Sequence, residues 1–214
     1  MKCLISILLI TTLFCADFTN ISSSLTIQNG VTLTMIGSFE NNGIINNSGT
    51  LTVSGDFTNT GECNFDPMSL FILNGDDQLF PSMTYGFLTI EGTGTKSMEG
   101  DCSASSFILN SGILSINGHT LIVDGVISYN GGYVLGEGSI LHQGVEVYGC
   151  MDEEAVNYSS DFIFGSGECV YGEPGCNDES AYNYNEDALW NDGSCIYYGD
   201  VSQDGSIDVV DVIA

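Results

Sequence analysis

The chain has 214 residues, enough for one sizeable domain with small modules attached. It carries 28 aspartates and glutamates against two basic side chains, Lys2 and Lys96, for a formal net charge of −26. That balance excludes ordinary nucleic-acid binding, which needs Lys and Arg to neutralise phosphates, and docking on an anionic membrane surface; it suits cation binding and solubility in a saline medium.

The N-terminus reads as an export leader over 1–16. Lys2 supplies a short positive start, and Cys3 to Phe14 is an apolar run of about a dozen residues, too short to span a bilayer comfortably. Cys15 and Ala16 are small enough for cleavage; acylation of Cys15 fits less well, because Leu13 and Phe14 before it are bulky. No later stretch has the length and apolarity of a transmembrane helix. Export implies an oxidising compartment, so the protein is expected to be secreted or held at a cell surface, where disulfides persist.

Residues 17–148 are expected to be a stack of short strands. Apolar residues make up 43% of the chain, which supplies a core. Leu25-x-Ile27, Val31-x-Leu33-x-Met35, Leu51-x-Val53, Leu88-x-Ile90, Leu114-x-Ile116 and Leu121-x-Val123 alternate as half-buried strands do. Asn-Gly, Ser-Gly, Gly-Asp and Gly-Gly pairs between them are turn chemistry. The segment Thr32-Leu33-Thr34 … Gly37-Ser38-Phe39-Glu40-Asn41-Asn42-Gly43 recurs directly afterwards, from Thr50 to Gly61. Asn47 to Gly55 returns as Asn110 to Gly118. A period near 20 residues is that of a β-solenoid coil, about six of which fit between 20 and 148. Each coil is too small to bury its own apolar face and must stack on its neighbours. Asn41, Asn46, Asn47 and Asn59 are then placed to form amide ladders along the stack. An antiparallel β-sandwich shows the same turn spacing, but sandwiches do not usually carry sequence repeats. The expected class is therefore all-β, a parallel, β-helix-like solenoid followed by small disulfide-framed repeats and a truncated calcium loop. The pattern resembles the Asn- and Gly-rich β-solenoids of surface proteins from marine Bacteroidetes-type bacteria.

The chain changes character near Tyr148. Gly149-Cys150-Met151-Asp152-Glu153-Glu154-Ala155-Val156-Asn157-Tyr158 returns further on as Gly175-Cys176-Asn177-Asp178-Glu179-Ser180-Ala181-Tyr182-Asn183-Tyr184. Gly167-Glu168-Cys169-Val170-Tyr171 matches Gly193-Ser194-Cys195-Ile196-Tyr197 in the same way. Four cysteines allow three pairings; the simplest is one bridge per unit, Cys150–Cys169 and Cys176–Cys195. Zinc is the rival reading, but C-x₂-C spacing is missing, and His119 and His142 lie outside the segment. Cys63 and Cys102 are left as a third bridge or as two buried thiols. The two units, 149–173 and 174–198, resemble the "GCTDPxAxNYNPxAxxDDGSCxY" repeats of exported Bacteroidetes proteins. Asp187, Asn191 and Asp192 resemble the acidic loops of thrombospondin-like calcium repeats, but with irregular spacing, and a solvated acidic linker is expected there. Trp190 and the tyrosine pairs are expected to supply what little core the units have, with a sugar-stacking face as the other reading.

The sharpest motif is in 199–214. Gly199-Asp200-Val201-Ser202-Gln203-Asp204-Gly205-Ser206-Ile207-Asp208-Val209-Val210-Asp211 is a twelve-residue calcium loop behind a leading glycine. Calcium takes about six to eight oxygens in flexible geometry. Asp200, Ser202 and Asp204 supply side-chain oxygens at the first, third and fifth positions, and Gly205 permits the sharp turn. Ser206 offers its carbonyl, Asp208 acts through a water, and Asp211 closes the sphere where glutamate is usual. The loop resembles the first half of a dockerin type I module, which implies calcium as the bound ion and a cohesin-like domain as partner. The chain stops at Ala214, without the second loop, and is expected to be a fragment of a longer reading frame.

Two functions compete. One is a non-enzymatic structural or adhesion-type surface protein with a calcium-stabilised end. The other is a polysaccharide-degrading enzyme or accessory subunit, since many β-helix proteins are lyases or glycosidases. A lyase base is commonly Lys or Arg, and Lys96 is the one basic side chain beyond the leader. A glycosidase needs two facing carboxylates; Asp56, Asp76, Asp77, Asp124 and Glu137 are the candidates, with Asp56 and Asp124 also placed as turn caps. Neither histidine has a motif partner for a nucleophilic triad. No catalytic set is expected, and the first function is preferred.

Overall fold

The structure is a computed structural model and describes residues 12–199. These residues form strands, turns and bends with no α-helix, and thus nothing among them is helical and apolar enough to cross a membrane. They divide into two compact units: 12–151 with 159–167, and 152–158 with 168–199.

The first unit is a parallel β-solenoid. Its first coil is β1 (Thr12–Cys15), β2 (Phe18–Asn20) and β3 (Ser24–Ile27); the second is β4 (Thr32–Met35), β5 (Phe39–Asn41) and β6 (Ile44–Asn47); the third is β7 (Thr50–Val53), β8 (Phe57–Asn59) and β9 (Glu62–Phe65). The fourth opens with β10 (Leu70–Leu73) and β11 (Gln78–Phe80). Two faces then merge, because β12 (Thr84–Ile90) and β14 (Cys102–Leu109) each supply the last strand of one coil and the first of the next. Also in the stack are β13 (Thr95–Met98), β15 (Ile113–Ser115), β16 (Thr120–Val123), β17 (Ile127–Tyr129), β18 (Tyr133–Leu135) and β19 (Ser139–His142). β20 (Val145–Glu146) folds back on β19 as the one antiparallel pair among the described strands. Parallel ladders throughout the stack rule out the sandwich.

Register follows the sequence repeat. Thr12 pairs with Thr32, Thr32 with Thr50, Thr50 with Leu70, Leu70 with Phe87 and Phe87 with Ser106, so that each step along the stack is one coil of the sequence period. The return of Thr32-Leu33-Thr34 at Thr50 is one such step. The longer-range match behaves differently: Thr50–Val53 lies on the face of β4 and β10, whereas Ile113–Ser115 lies on the face of β13 and β18. That repeat therefore marks a shared turn-and-strand pattern rather than equivalent faces. At the corners, successive coils approach so closely that a Cβ on Gly61 would run into the carbonyl oxygen of Gly43.

Alternation puts every second side chain inside. Leu33, Leu51, Phe71, Leu88 and Phe107 form one buried file, and Met35, Val53, Leu73, Ile90 and Leu109 form the next. The opposite wall stacks Phe18 on Phe39 and Phe39 on Phe57, with ring centroids 5.6 and 5.2 Å apart, and Phe57 meets Phe71 at 5.4 Å. Burying each such ring contributes about 2–3 kcal/mol, which is how coils with no core of their own hold together.

Part of the first cysteine-framed repeat belongs to this unit. β21 (Tyr148–Gly149) pairs in parallel with β22 (Phe164–Gly165). Phe164 is buried, 5.9 Å from the Phe107 ring and edge-on to Tyr129 at 5.4 Å. In the second unit β23 (Pro174–Gly175) pairs with β24 (Trp190–Asn191) in the same sense, at the equivalent place in the second repeat.

Candidate functional site

Polar side chains inside the solenoid are used up by its corners. Asn20, Asn41 and Asn59 stack at the end of β2, β5 and β8. Asn20 Nδ2 donates to Asn41 Oδ1 at 2.7 Å, and Asn41 Nδ2 to Asn59 Oδ1 at 2.7 Å. Asn46 joins a separate, exposed ladder, donating to Ser24 Oγ at 3.2 Å and accepting from Asn64 Nδ2 at 3.1 Å. Asn47 is in no ladder. It lies between Ile27 and Phe65 in register, its Oδ1 accepts from Gly49 N at 3.0 Å, and its buried Nδ2 has no partner among the described residues. Ladder residues missed from the sequence include Asn20, whose signal was its place one coil before Asn41, and Asn64, one coil after Asn46.

Lys96 is fully buried. It sits in register between Gln78 and Leu114, and its Nζ donates to the carbonyl oxygens of Gly75, at 2.5 Å, and Thr93. Burial pulls its pKa down, against the opposing pull of Asp76 and Asp77. An ammonium committed to two interior carbonyls is not placed to reach an external glycan.

Cys63 and Cys102 are free thiols, and the third bridge does not form. They lie on β9 and β14, which belong to different sheets, and both are near the buried Tyr85. Burial pushes both thiols up to about 11 and raises the Tyr85 phenol well above its ordinary value.

Outward carboxylates cap the next coil. Asp17 accepts from Ser38 N, Asp56 from Leu79 N, Asp77 from Thr95 N and Asp101 from Thr120 N, each at 2.8 Å. Asp76 accepts from the Thr93 hydroxyl. Asp56 and Asp77 also line one shallow groove of about 420 Å³ with Gln78, Leu79, Thr95 and Ser97. A second groove, of about 290 Å³, shares Asp56 and adds Asp17, Glu40, Ser38, Thr19 and Thr58. Asp124 follows the last residue of β16, and Glu137 lies in the turn before β19, its carbonyl accepting from Gly118 N at 2.6 Å. Of the five candidate carboxylates, only Asp56 and Asp77 come together in these grooves. His119 Nδ1 lies 3.9 Å from Asp101, and His142 Nε2 lies 2.7 Å from the Gly125 carbonyl.

The cysteine-framed repeats owe their shared residues to one hydrogen-bond scheme used twice. Asp152 Oδ1 accepts from Glu154 N at 3.0 Å and its Oδ2 from Tyr171 OH at 2.6 Å; Asp178 does the same with Ser180 N at 2.9 Å and Tyr197 OH at 2.7 Å. Asn157 donates to Glu168 O and accepts from Val170 N, and Asn183 donates to Ser194 O and accepts from Ile196 N. Cys176 and Cys195 form a disulfide, and Cys150 and Cys169 are also disulfide-bonded, which leaves none of the four for zinc. Asn191 and Asp192 cap their own turn through Gly193 N and Ser194 N, both at 2.9 Å. No set of three or more metal-binding side chains is present among the described residues. The aromatic-core expectation is corrected. Trp190, Tyr182, Tyr184 and Tyr198 are exposed, and the buried side chains of the second unit are Ala155, Cys176, Ala181 and Ala188. A unit of about 25 residues can enclose a disulfide and a few methyl groups but not several rings.

The calcium-loop residues Asp200, Ser202, Asp204, Ser206, Asp208 and Asp211 lie outside the described residues, as do the first eleven residues of the expected leader. Compared with family models, curated proteins and solved structures, the chain matches none.

Proposed function

We propose that this chain is a non-enzymatic, extracellular structural or adhesion-type protein, a rigid acidic spacer that ends in a calcium-binding, dockerin-like loop. The observation that carries the reading is the fate of four outward aspartates. Asp17, Asp56, Asp77 and Asp101 each accept a backbone N–H of the following coil, so these carboxylates help to hold the stack together. Disulfides in both cysteine-framed repeats support an oxidising location. The spacing of Asp200, Ser202, Asp204, Ser206, Asp208 and Asp211 supports calcium as the ion, and the dockerin-like pattern supports a cohesin-like partner.

A calorimetric calcium titration of the whole chain and of Asp200→Ala and Asp211→Ala tests the metal loop. Binding in the parent and none in the variants is expected, and equal heats in all three overturn it. The second reading, a polysaccharide-degrading enzyme or accessory subunit, has one observation in its favour: Asp56 and Asp77 share a groove. Release of new reducing or unsaturated ends from a glycan panel, lost in Asp77→Asn, would establish it in place of the spacer.

A further inference from the structure

The chain holds five Asn-Gly pairs, at Asn29, Asn42, Asn74, Asn117 and Asn130. Such a pair can rearrange without an enzyme. The glycine nitrogen gives up its proton to base and attacks the asparagine Cγ. A C–N bond forms, the Cγ–Nδ2 bond breaks, and Nδ2 takes up a proton and leaves as ammonia. Water then opens the succinimide ring to aspartate or isoaspartate. Glycine is the favoured second residue because no Cβ obstructs the ring. In a folded chain the glycine N–H must also be free of a hydrogen bond, and the backbone must have room to bend toward the side chain.

The solenoid withholds these conditions from four of the pairs. Gly43 N donates to Asn41 Oδ1 at 3.2 Å, Gly75 N to Gln78 Oε1 at 2.7 Å and Gly118 N to the Glu137 carbonyl at 2.6 Å. Gly43 and Gly75 are also pressed against the preceding coil, where a Cβ would meet the carbonyl oxygens of Ser23 and Ser54. At the fifth-coil corner it is the asparagine that is held: Asn130 Nδ2 donates to Asn110 Oδ1 at 2.8 Å, and Gly131 lies close to the Asn110 carbonyl. Asn29 escapes all of these restraints. Val31 N donates to Gln28 O at 3.0 Å, closing a turn between β3 and β4 whose central residues, Asn29 and Gly30, are both exposed. Gly30 has φ 79°, which glycine adopts without strain, and nothing lies within 4 Å of the position its Cβ would take. Neither the Gly30 N–H nor the Asn29 amide has a hydrogen-bond partner among the described residues. We infer that Asn29 is a site of spontaneous deamidation, converting to aspartate and isoaspartate ahead of the other four pairs. Conversion adds a carboxylate to a chain already at −26. The isoaspartyl form also puts an extra methylene into the backbone of the turn that joins the first coil to the second.

The whole chain is aged in warm, mildly alkaline buffer, with a parallel sample in urea. Peptides are then mapped by mass spectrometry with electron-transfer fragmentation, which separates aspartate from isoaspartate. In the folded chain Asn29 should convert about fivefold or more faster than Asn42, Asn74 and Asn117, whose glycine N–H bonds must open first. Asn130 should also trail Asn29. In urea the five rates should draw together, because the restraints are gone. Asn29→Gln should remove the leading product and the acidic species that it makes on isoelectric focusing, with the far-ultraviolet dichroism unchanged. Another pair converting as fast as Asn29 in the folded chain overturns the inference. So does a lead for Asn29 that persists undiminished in urea, which would make the local sequence rather than the fold its cause.

Discussion

Asn41 is a donor to Asn59 and an acceptor from Asn20, so one side chain closes two rungs. Asn47 is as deeply buried, but one of its amide atoms is unpaired. Asn41→Ala should therefore cost about 2–4 kcal/mol, since it strands polar atoms on both neighbours, whereas Asn47→Ala should cost about 1 kcal/mol or less. Urea unfolding of the two variants checks this, and equal losses would contradict the ladder. The acidic residues of the repeats make a second claim at this scale. The Tyr171 hydroxyl, more than any other group, holds the Asp152 carboxyl below its ordinary range; for Asp178 the Ser180 hydroxyl leads and Tyr197 adds to it. A lowered carboxyl stabilises the fold above its unfolded value, and the contribution is lost as pH falls through the folded value. Tyr171 and Tyr197 are raised by the same bonds, so their contribution holds below the ordinary phenol range and is lost as pH climbs through the raised value. Carboxyl titration by NMR should show Asp152 moving up toward the ordinary range in Tyr171→Phe.

At the scale of the element, a solenoid coil depends on the corner that lets the next coil close over it. Gly61 faces the Gly43 carbonyl where no Cβ fits. Gly61→Ala should destabilise the stack by about 2 kcal/mol or more, because relief needs backbone movement in two coils at once; a thermal melt unchanged from the parent would show that the coils are less closely stacked. The second repeat has a different support. The Cys176–Cys195 bridge closes a loop with a sequence separation of 19, worth about 3 kcal/mol, around a centre of small side chains. Cys176→Ser with Cys195→Ser should raise amide exchange throughout 174–198 and leave β4 to β16 protected. Loss of protection in the solenoid as well would mean that the two units do not unfold separately.

At the scale of the molecule, charge sets the conditions for stability. Lys96 is buried and neutralises little at the surface, so a net charge of −26 is carried almost unrelieved by an acidic exterior. Self-repulsion is screened as the Debye length falls from about 30 Å at 0.01 M salt to about 3 Å at 1 M. The melting temperature should rise across that range, the opposite of what a protein held by surface ion pairs shows. An unchanged or falling value would place the main electrostatic balance elsewhere.

The sequence by itself determined the class of the fold. Alternation at Leu33 and Met35 or Leu51 and Val53 fixes which face is buried, and the repeat step from Thr32 to Thr50 fixes which residues stack. The cysteine-framed repeats were legible for the same reason: Asp152 and Asp178, or Asn157 and Asn183, bond to atoms in the same unit, so their identity is set locally. What lies between coils was legible in part, since the Asn41–Asn59 rung follows from the repeat, but the rest depends on three-dimensional register. Only the stack shows that Asn20 joins the Asn41 ladder while Asn47 falls between Ile27 and Phe65, that Lys96 turns inward, and that Cys63 and Cys102 both lie near the buried Tyr85. Burial of the repeat aromatics was likewise a tertiary decision: the same strand position holds Phe164 against a finished solenoid and leaves Trp190 in water, since a short repeat supplies the edge but not the surface that covers it.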